Sequence, residues 1–298
     1  MVKPLAPIII ITTCFFLSCN RIEKTTTSVA YYSNGIEKSK KGDYAEAIIE
    51  FDKAIGIDTE YADAYSERGL NKMWLGRLQS ALEDCNKAIE INPILQKAYA
   101  FRGVIKNEQK KYTDALKDYN ISIRLDSING YAGYAYSNRG VVESELGDDL
   151  LAMKDYNKAI ELDSNFALTY LYKSSLESKW KMYQSTIRDL NHYIKLNPEY
   201  DRAYNSRGFA EYQMGDTVKA IADYNMSISI NPNDFAAYNN RGIIEYNRGQ
   251  YKLALDDYSK AIANDSNDEV AYKNRADCEE KMGDKKAAAA DMLKAGSK

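Results

Sequence analysis

An all-helical solenoid of eight helix-turn-helix repeats is the fold this sequence predicts, and three observations predict it. One six-residue frame keeps returning: Ala64-Tyr65-Ser66-Glu67-Arg68-Gly69, Ala98-Tyr99-Ala100-Phe101-Arg102-Gly103, Ala135-Tyr136-Ser137-Asn138-Arg139-Gly140, Ala203-Tyr204-Asn205-Ser206-Arg207-Gly208 and Ala237-Tyr238-Asn239-Asn240-Arg241-Gly242. Its spacing is 34 residues, from Gly35 to Gly69 to Gly103 and again from Gly140 through Ser174, Gly208 and Gly242 to Ala276. Between the two series the step is 37, so three residues have been inserted, near Gly130-Tyr131-Ala132. A fixed period of this length is the mark of stacked supersecondary units, each burying its apolar face on its neighbours.

With the small residue set as place eight, the repeats begin at Ser28, Ala62, Gln96, Gly133, Ala167, Asp201, Phe235 and Glu269 and fill residues 28–298. Place four is tyrosine in all eight, from Tyr31 to Tyr272. A glycine follows the first helix in six repeats (Gly42, Gly76, Gly147, Gly215, Gly249, Gly283), which is helix-stop chemistry. The second helix carries a small residue at place twenty, an aromatic at place twenty-four in most repeats, and isoleucine at place twenty-eight in seven. Apolar residues four apart line one helix face. Pro93, Pro198 and Pro232 close the second helix in three repeats.

This pattern resembles the tetratricopeptide repeat family from Ser28 to Lys298. The resemblance implies a right-handed superhelix whose paired helices touch at places eight and twenty. It also implies a protein-interaction scaffold without cofactor. Two family positions differ here: the leucine of place seven and the tyrosine of place eleven. Place seven instead holds Arg68, Arg102, Arg139, Lys173, Arg207, Arg241 and Arg275. Place eleven is Lys38, Lys72 and Lys106 in the first three repeats, then Glu143, Glu177, Glu211, Glu245 and Glu279. Place twenty-three is acidic throughout, from Glu50 to Asp291. The spacing of places seven and eleven is that of a helical ion pair. A ladder of partly buried Arg–Asp pairs that fixes repeat-to-repeat register is therefore expected.

The leader reads as an address. Met1–Ser18 carries Lys3 and then the short apolar run 7–17, too short for a spanning helix of about 20 residues. It ends in Phe16-Leu17-Ser18-Cys19, after which the chain turns polar, with a linker over residues 19–27. That ending resembles the lipobox of bacterial lipoproteins, although Phe16 stands where that family prefers leucine. The resemblance implies a lipidated Cys19, a palmitate-bearing anchor and a place in the bacterial cell envelope, at the outer membrane. An ordinary cleaved signal with an incidental cysteine is the competing reading.

Little else suggests chemistry. The chain has one histidine, His192, and Cys85 and Cys278 lie far apart, so neither a metal cluster nor a disulfide is expected. No nucleophile elbow or phosphate-cradling loop is present. Net charge is −3, without the basic stripe that nucleic acid requires. A catalytic role is not expected.

In the resembling family, places two, five, nine, twelve and thirteen line a peptide groove. Here they give Tyr134, Arg202, Asn205, Phe209, Tyr212, Asn239, Ile243, Tyr246 and Asn247, with Trp74 nearer the start. Aromatic anchors among amides suit an extended peptide. The Lys and Asn clamp of the family's chaperone-binding members is missing, since place nine is never Asn and only Lys273 is a lysine at place five. The competing reading is an assembly subunit that works through its ends and convex face. Its last helix would then pack on a partner or self-associate through the C-terminal repeat.

Overall fold

The computed structural model describes residues 26–125 and 130–296; Cys19 and the leader lie outside them. The described residues form sixteen helices and no strand. They fall into two compact units that meet in sequence at Asp163 and Ser164. The N-terminal unit holds α1 (26–41), α2 (Tyr44–Ile57), α3 (Ala62–Trp74), α4 (Leu78–Ile91), α5 (Gln96–Glu108), α6 (Tyr112–Leu125), α7 (Tyr131–Glu145) and α8 (Asp149–Leu162). The C-terminal unit holds α9 (Ala167–Lys179), α10 (Tyr183–Leu196), α11 (Asp201–Gln213), α12 (Thr217–Ile230), α13 (Phe235–Asn247), α14 (Tyr251–Asn264), α15 (Glu269–Lys281) and α16 (Lys285–Ala295). No described helix is long and apolar enough to cross a membrane.

Within each unit the two helices of a repeat pack together, and the second helix packs on the first helix of the next repeat. First helices also touch one another, α3 on α5 and α5 on α7, and likewise α11 on α13 and α13 on α15. Within each unit they therefore form one side.

The turn between paired helices is the same in all eight repeats. In the fourth, Asp148 N–H donates to Glu143 C=O at 2.8 Å and Gly147 N–H to Ser144 C=O at 3.0 Å. This is a Schellman end, and it needs a left-handed residue. Gly147 has φ 88°, and where glycine is absent Lys110 (φ 57°) and Lys181 (φ 60°) take the same conformation. The hydrogen bonds of the turn thus hold even where the residue is poorly suited to it.

Place eight is small because an aromatic ring lies on it. A Cβ added to Gly103 would stand 2.6 Å from the Tyr119 ring, and one added to Gly140 2.7 Å from the Tyr156 ring. Gly35 with Phe51, Gly208 with Tyr224 and Gly242 with Tyr258 repeat the arrangement. Gly140→Ala is accordingly expected to cost about 1–3 kcal/mol by overpacking. Thermal unfolding checks this, and an unchanged midpoint would mean that the Tyr156 ring yields without penalty. Cys85 and Cys278 are unpaired and fully buried, as expected of small core residues.

The three-residue insertion lengthens α7 at its start. That helix has 15 residues where α3, α5, α9, α11, α13 and α15 each have 13, and left-handed Gly130 (φ 76°) opens it. The added Tyr131 lies edge-on to Phe101, their ring centroids 6.1 Å apart.

Candidate functional site: the first-helix face and its charged ladder

The ladder of Arg–Asp pairs is present, and each pair closes between the two helices of one repeat. Each arginine of place seven grips the aspartate of place twenty-three in its own repeat with two parallel hydrogen bonds. Arg241 Nε lies 2.7 Å from Asp257 Oδ2 and Nη2 2.7 Å from Oδ1; Arg68 with Asp84, Arg102 with Asp118, Arg207 with Asp223 and Arg275 with Asp291 match it. The step to the preceding repeat is made by Nη1, which donates to a polar residue at place twenty-five: Asp52, Asn86, Asn120, Asn191, Asn225 or Ser259. This acceptor was not singled out from the sequence, although Asn recurs at that place. Across the insertion Arg139 still reaches Asn120, so the ladder keeps its step while the extra residues are taken up elsewhere.

The tyrosine of place four completes the clamp. The guanidinium of Arg68 stands 5.1 Å from the Tyr65 ring centre and that of Arg241 5.6 Å from Tyr238, within cation–π range. Tyr99 and Tyr204 also donate their hydroxyls to the carbonyls of Pro93 and Pro198. In the fifth repeat Lys173 replaces arginine and bridges Asp189 and Glu177. There His192 stacks on Tyr170 at 4.1 Å and donates Nε2–H to the Ser164 carbonyl.

At place eleven the expected helical ion pair is present in three of the five glutamate repeats, and in two of those it is long. Arg139 and Glu143 are 3.7 Å apart, Arg275 and Glu279 4.0 Å, and only Lys173–Glu177 is close, at 2.9 Å. In all five repeats Oε2 of the glutamate is buried without a hydrogen-bond partner. Burial, reinforced by the neighbouring aspartate, raises Glu143, Glu211 and Glu245 to about 7. Glu177 and Glu279 are raised as well, chiefly by burial. The second and third repeats differ. There Lys72 and Lys106 sit 2.7 Å from Asp84 and Asp118, so two cations share one carboxylate.

The nine expected groove residues do not stay together. Arg202, Asn205 and Phe209 line a cavity of about 480 Å³ between α9, α10 and α11. Tyr212, Ile243 and Tyr246 instead pack onto buried clusters around Tyr224 and Tyr258, and Asn247 donates to the Tyr212 hydroxyl at 2.9 Å. Asn239 is buried and accepts from Asn274 at 2.9 Å, a link that ties repeats together. Tyr134 belongs to the N-terminal unit, where it meets Phe101 edge-on at 5.9 Å. It borders a second cavity of about 600 Å³, with Tyr32, Tyr131 and Glu67. Buried Lys97 pairs there with Asp63 (2.6 Å) and Glu67 (3.0 Å) and donates to the Tyr32 hydroxyl oxygen at 2.9 Å. Trp74 is exposed and stacks on Tyr44.

The 480 Å³ cavity has a local cause. In the fifth repeat place twenty-four is Leu190 where five other repeats carry an aromatic ring, place eight is Ser174 and place twenty is Thr186. All three line the opening left by the shorter side chain. Among the described residues no cluster of His, Cys, Asp or Glu could hold a metal ion.

Family models described as tetratricopeptide repeat match residues 29–61, 62–94, 133–166, 201–234 and 235–268, together more than half of the chain. The chain belongs to the tetratricopeptide repeat family. Among solved structures, this tetratricopeptide repeat protein is similar to Pseudomonas aeruginosa pilF at 18% identity and TM-score 0.62, covering 72% of this chain and 96% of that one. The Cut9–Hcn1 assembly of the APC/C matches at 15% identity and TM-score 0.69, over 83% of this chain and 48% of that one. A tetratricopeptide repeat protein from Parabacteroides merdae matches at 21% identity and TM-score 0.51, over 84% and 98%. At these identities the likeness is one of fold. No curated protein sequence matches the chain. Repeats of this family serve in general as protein-interaction scaffolds, a non-catalytic role.

Proposed function

We propose that the protein is a membrane-anchored scaffold that docks a partner protein or peptide on its first-helix face, at the fifth and sixth repeats. The observation that carries the site is the cavity left where Leu190 and Ser174 replace the ring-on-glycine pair. Phe209 stands exposed at its rim and Asn205 beside it, an apolar anchor next to an amide that can bond a peptide backbone. Anchoring rests on the leader: lipid on Cys19 would hold the array at the bacterial envelope, in the outer membrane. Several acyl chains, each methylene contributing about 0.8 kcal/mol, make such attachment stable.

The test is crosslinking and affinity capture from native membranes, comparing the intact protein with an Asn205→Ala, Phe209→Ala variant. Loss of one partner from a variant that melts normally is expected. An unchanged partner set would remove the docking role from this face. For the anchor, Cys19→Ser is expected to abolish palmitate labelling and move the protein to the soluble fraction. Retention in the membrane would refute it.

The assembly-subunit reading keeps one observation in its favour: Met292 and Leu293 on α16 are exposed, Leu293 at 76%. Capture or self-association lost with Leu293→Ser, and indifferent to Asn205 and Phe209, would favour it.

A further inference from the structure

We infer that the cavity of the fifth and sixth repeats receives a side-chain carboxylate of the partner, paired with Arg202. The inference rests on the docking role proposed for this face and gives its ligand a chemistry. Arg202 is the only formally charged residue that borders the cavity, and no carboxylate does. It is exposed and makes no ion pair among the described residues. Its neighbour Asp201 is held elsewhere, its side chain by Asn231 at 2.6 Å and its carbonyl by Ser227 at 2.9 Å.

The remaining polar groups favour an acceptor. Asn240 donates to Asn205 Oδ1 at 3.0 Å, which engages that oxygen and leaves the Asn205 N–H groups to a ligand. Ser174 and Thr186 are spent on backbone carbonyls of their own helices, Leu171 and Met182. Ser175, Ser178 and Ser206 line the cavity as well and can each donate a hydroxyl hydrogen. A cation among hydrogen-bond donors, in a recess floored by Leu190, binds an anion and penalises a cation or an unpaired amide. The cavity in the N-terminal unit offers the contrast, since Glu67 and Lys40 both border it and its charges are balanced. Leucine and serine at places twenty-four and eight create the recess; arginine at place two of the following repeat supplies the charge.

The experiment uses the purified chain and an array of short immobilised peptides that differ only at a central Glu, Gln, Lys, Leu or phosphoserine. Glu is expected to bind about tenfold or more tightly than Gln, as one charge-assisted pair predicts. Arg202→Gln is expected to erase that ratio while leaving Gln-centred peptides unchanged. A second variant, Ser174→Gly with Leu190→Tyr, restores the pair found in the fourth, sixth and seventh repeats. It is expected to fill the recess, keep the melting temperature, and lose binding of the whole set. Equal binding of Glu and Gln, a ratio indifferent to Arg202→Gln, or a preference for phosphoserine over Glu would each overturn the carboxylate assignment. Native capture separates the two levels. A partner lost with Phe209→Ala yet retained with Arg202→Gln leaves docking intact and refutes the carboxylate. A partner retained in both, with no peptide bound, refutes both.

Discussion

Arg241→Ala is expected to cost about 3–5 kcal/mol and to lower the unfolding midpoint well beyond error. The side chain is 19% exposed and its partner Asp257 only 3%. Removing it strands the carboxylate in the interior, together with the buried, unpartnered oxygen of Glu245. It also severs the bond to Asn225 that joins the sixth and seventh repeats. Because repeats interact only with neighbours, the loss should appear as early unfolding of the last repeats rather than of the whole chain. Arg241→Lys should be milder, for Lys173 shows that lysine can bridge the same acids. A midpoint for Arg241→Ala within error of the unaltered protein would show the pair to be solvated and the ladder ornamental.

The second large effect is one of pH. Glu143, Glu211 and Glu245 ionise at about 7 in the folded protein against an ordinary value of 4.5. Burial is the main cause, and Asp155, Asp223 and Asp257 add repulsion that Arg139, Arg207 and Arg241 only partly offset. The folded state therefore binds more protons than the unfolded chain between about 4.5 and 7. Stability from this source is fully present below 4.5, declines as pH rises through 7 and is flat above. The slope is about 1.4 kcal/mol per pH unit for each proton taken up. The unfolding midpoint should thus be higher at pH 5.5 than at pH 8. Gln at the three glutamates, a permanent neutral mimic, should flatten the profile. A midpoint that rises from pH 5.5 to 8 would show these groups to be ionised and hydrated.

Most of the fold was legible in the primary structure because the packing rule is local and repeated. Place eight against place twenty-four is a close contact that tolerates no extra carbon, so glycine marks it, and in six repeats the tyrosine of place four carries an arginine over its ring. What escaped notice has physical reasons. Asn86, Asn120, Asn191 and Asn225 look like ordinary solvated positions of a helix, and only the reach of the next arginine gives them a role. The aspartate of place twenty-three is within reach of a guanidinium from a neighbouring helix, as its spacing suggests, and the bidentate bond closes between the two helices of one repeat. The pair at places seven and eleven forms in three repeats only, and weakly in two, because the arginine is already committed to aspartate, which leaves the glutamate buried beside another acid. Of the candidate site, Arg202, Asn205 and Phe209 come together, whereas Tyr212, Ile243 and Tyr246 spend their apolar surface on packing. The cavity was hidden because it arises from atoms that are missing. Its trace in the sequence is the departure of Ser174, Thr186 and Leu190 from the period.

The fastening at place twenty-five has a consequence for the chain's history. Five arginines find their acceptor on the preceding repeat at the same sequence distance, and for Arg139, across the insertion, the contact survives at a longer one. Repeats held this way are interchangeable parts. Excising residues 235–268 would bring Arg275 to Asn225 in the geometry Arg241 now holds, with no new surface to be invented. Genes built on such a joint can gain or lose whole repeats in single steps and still encode a folded protein. The length of the array is then free to follow the size of whatever it must reach.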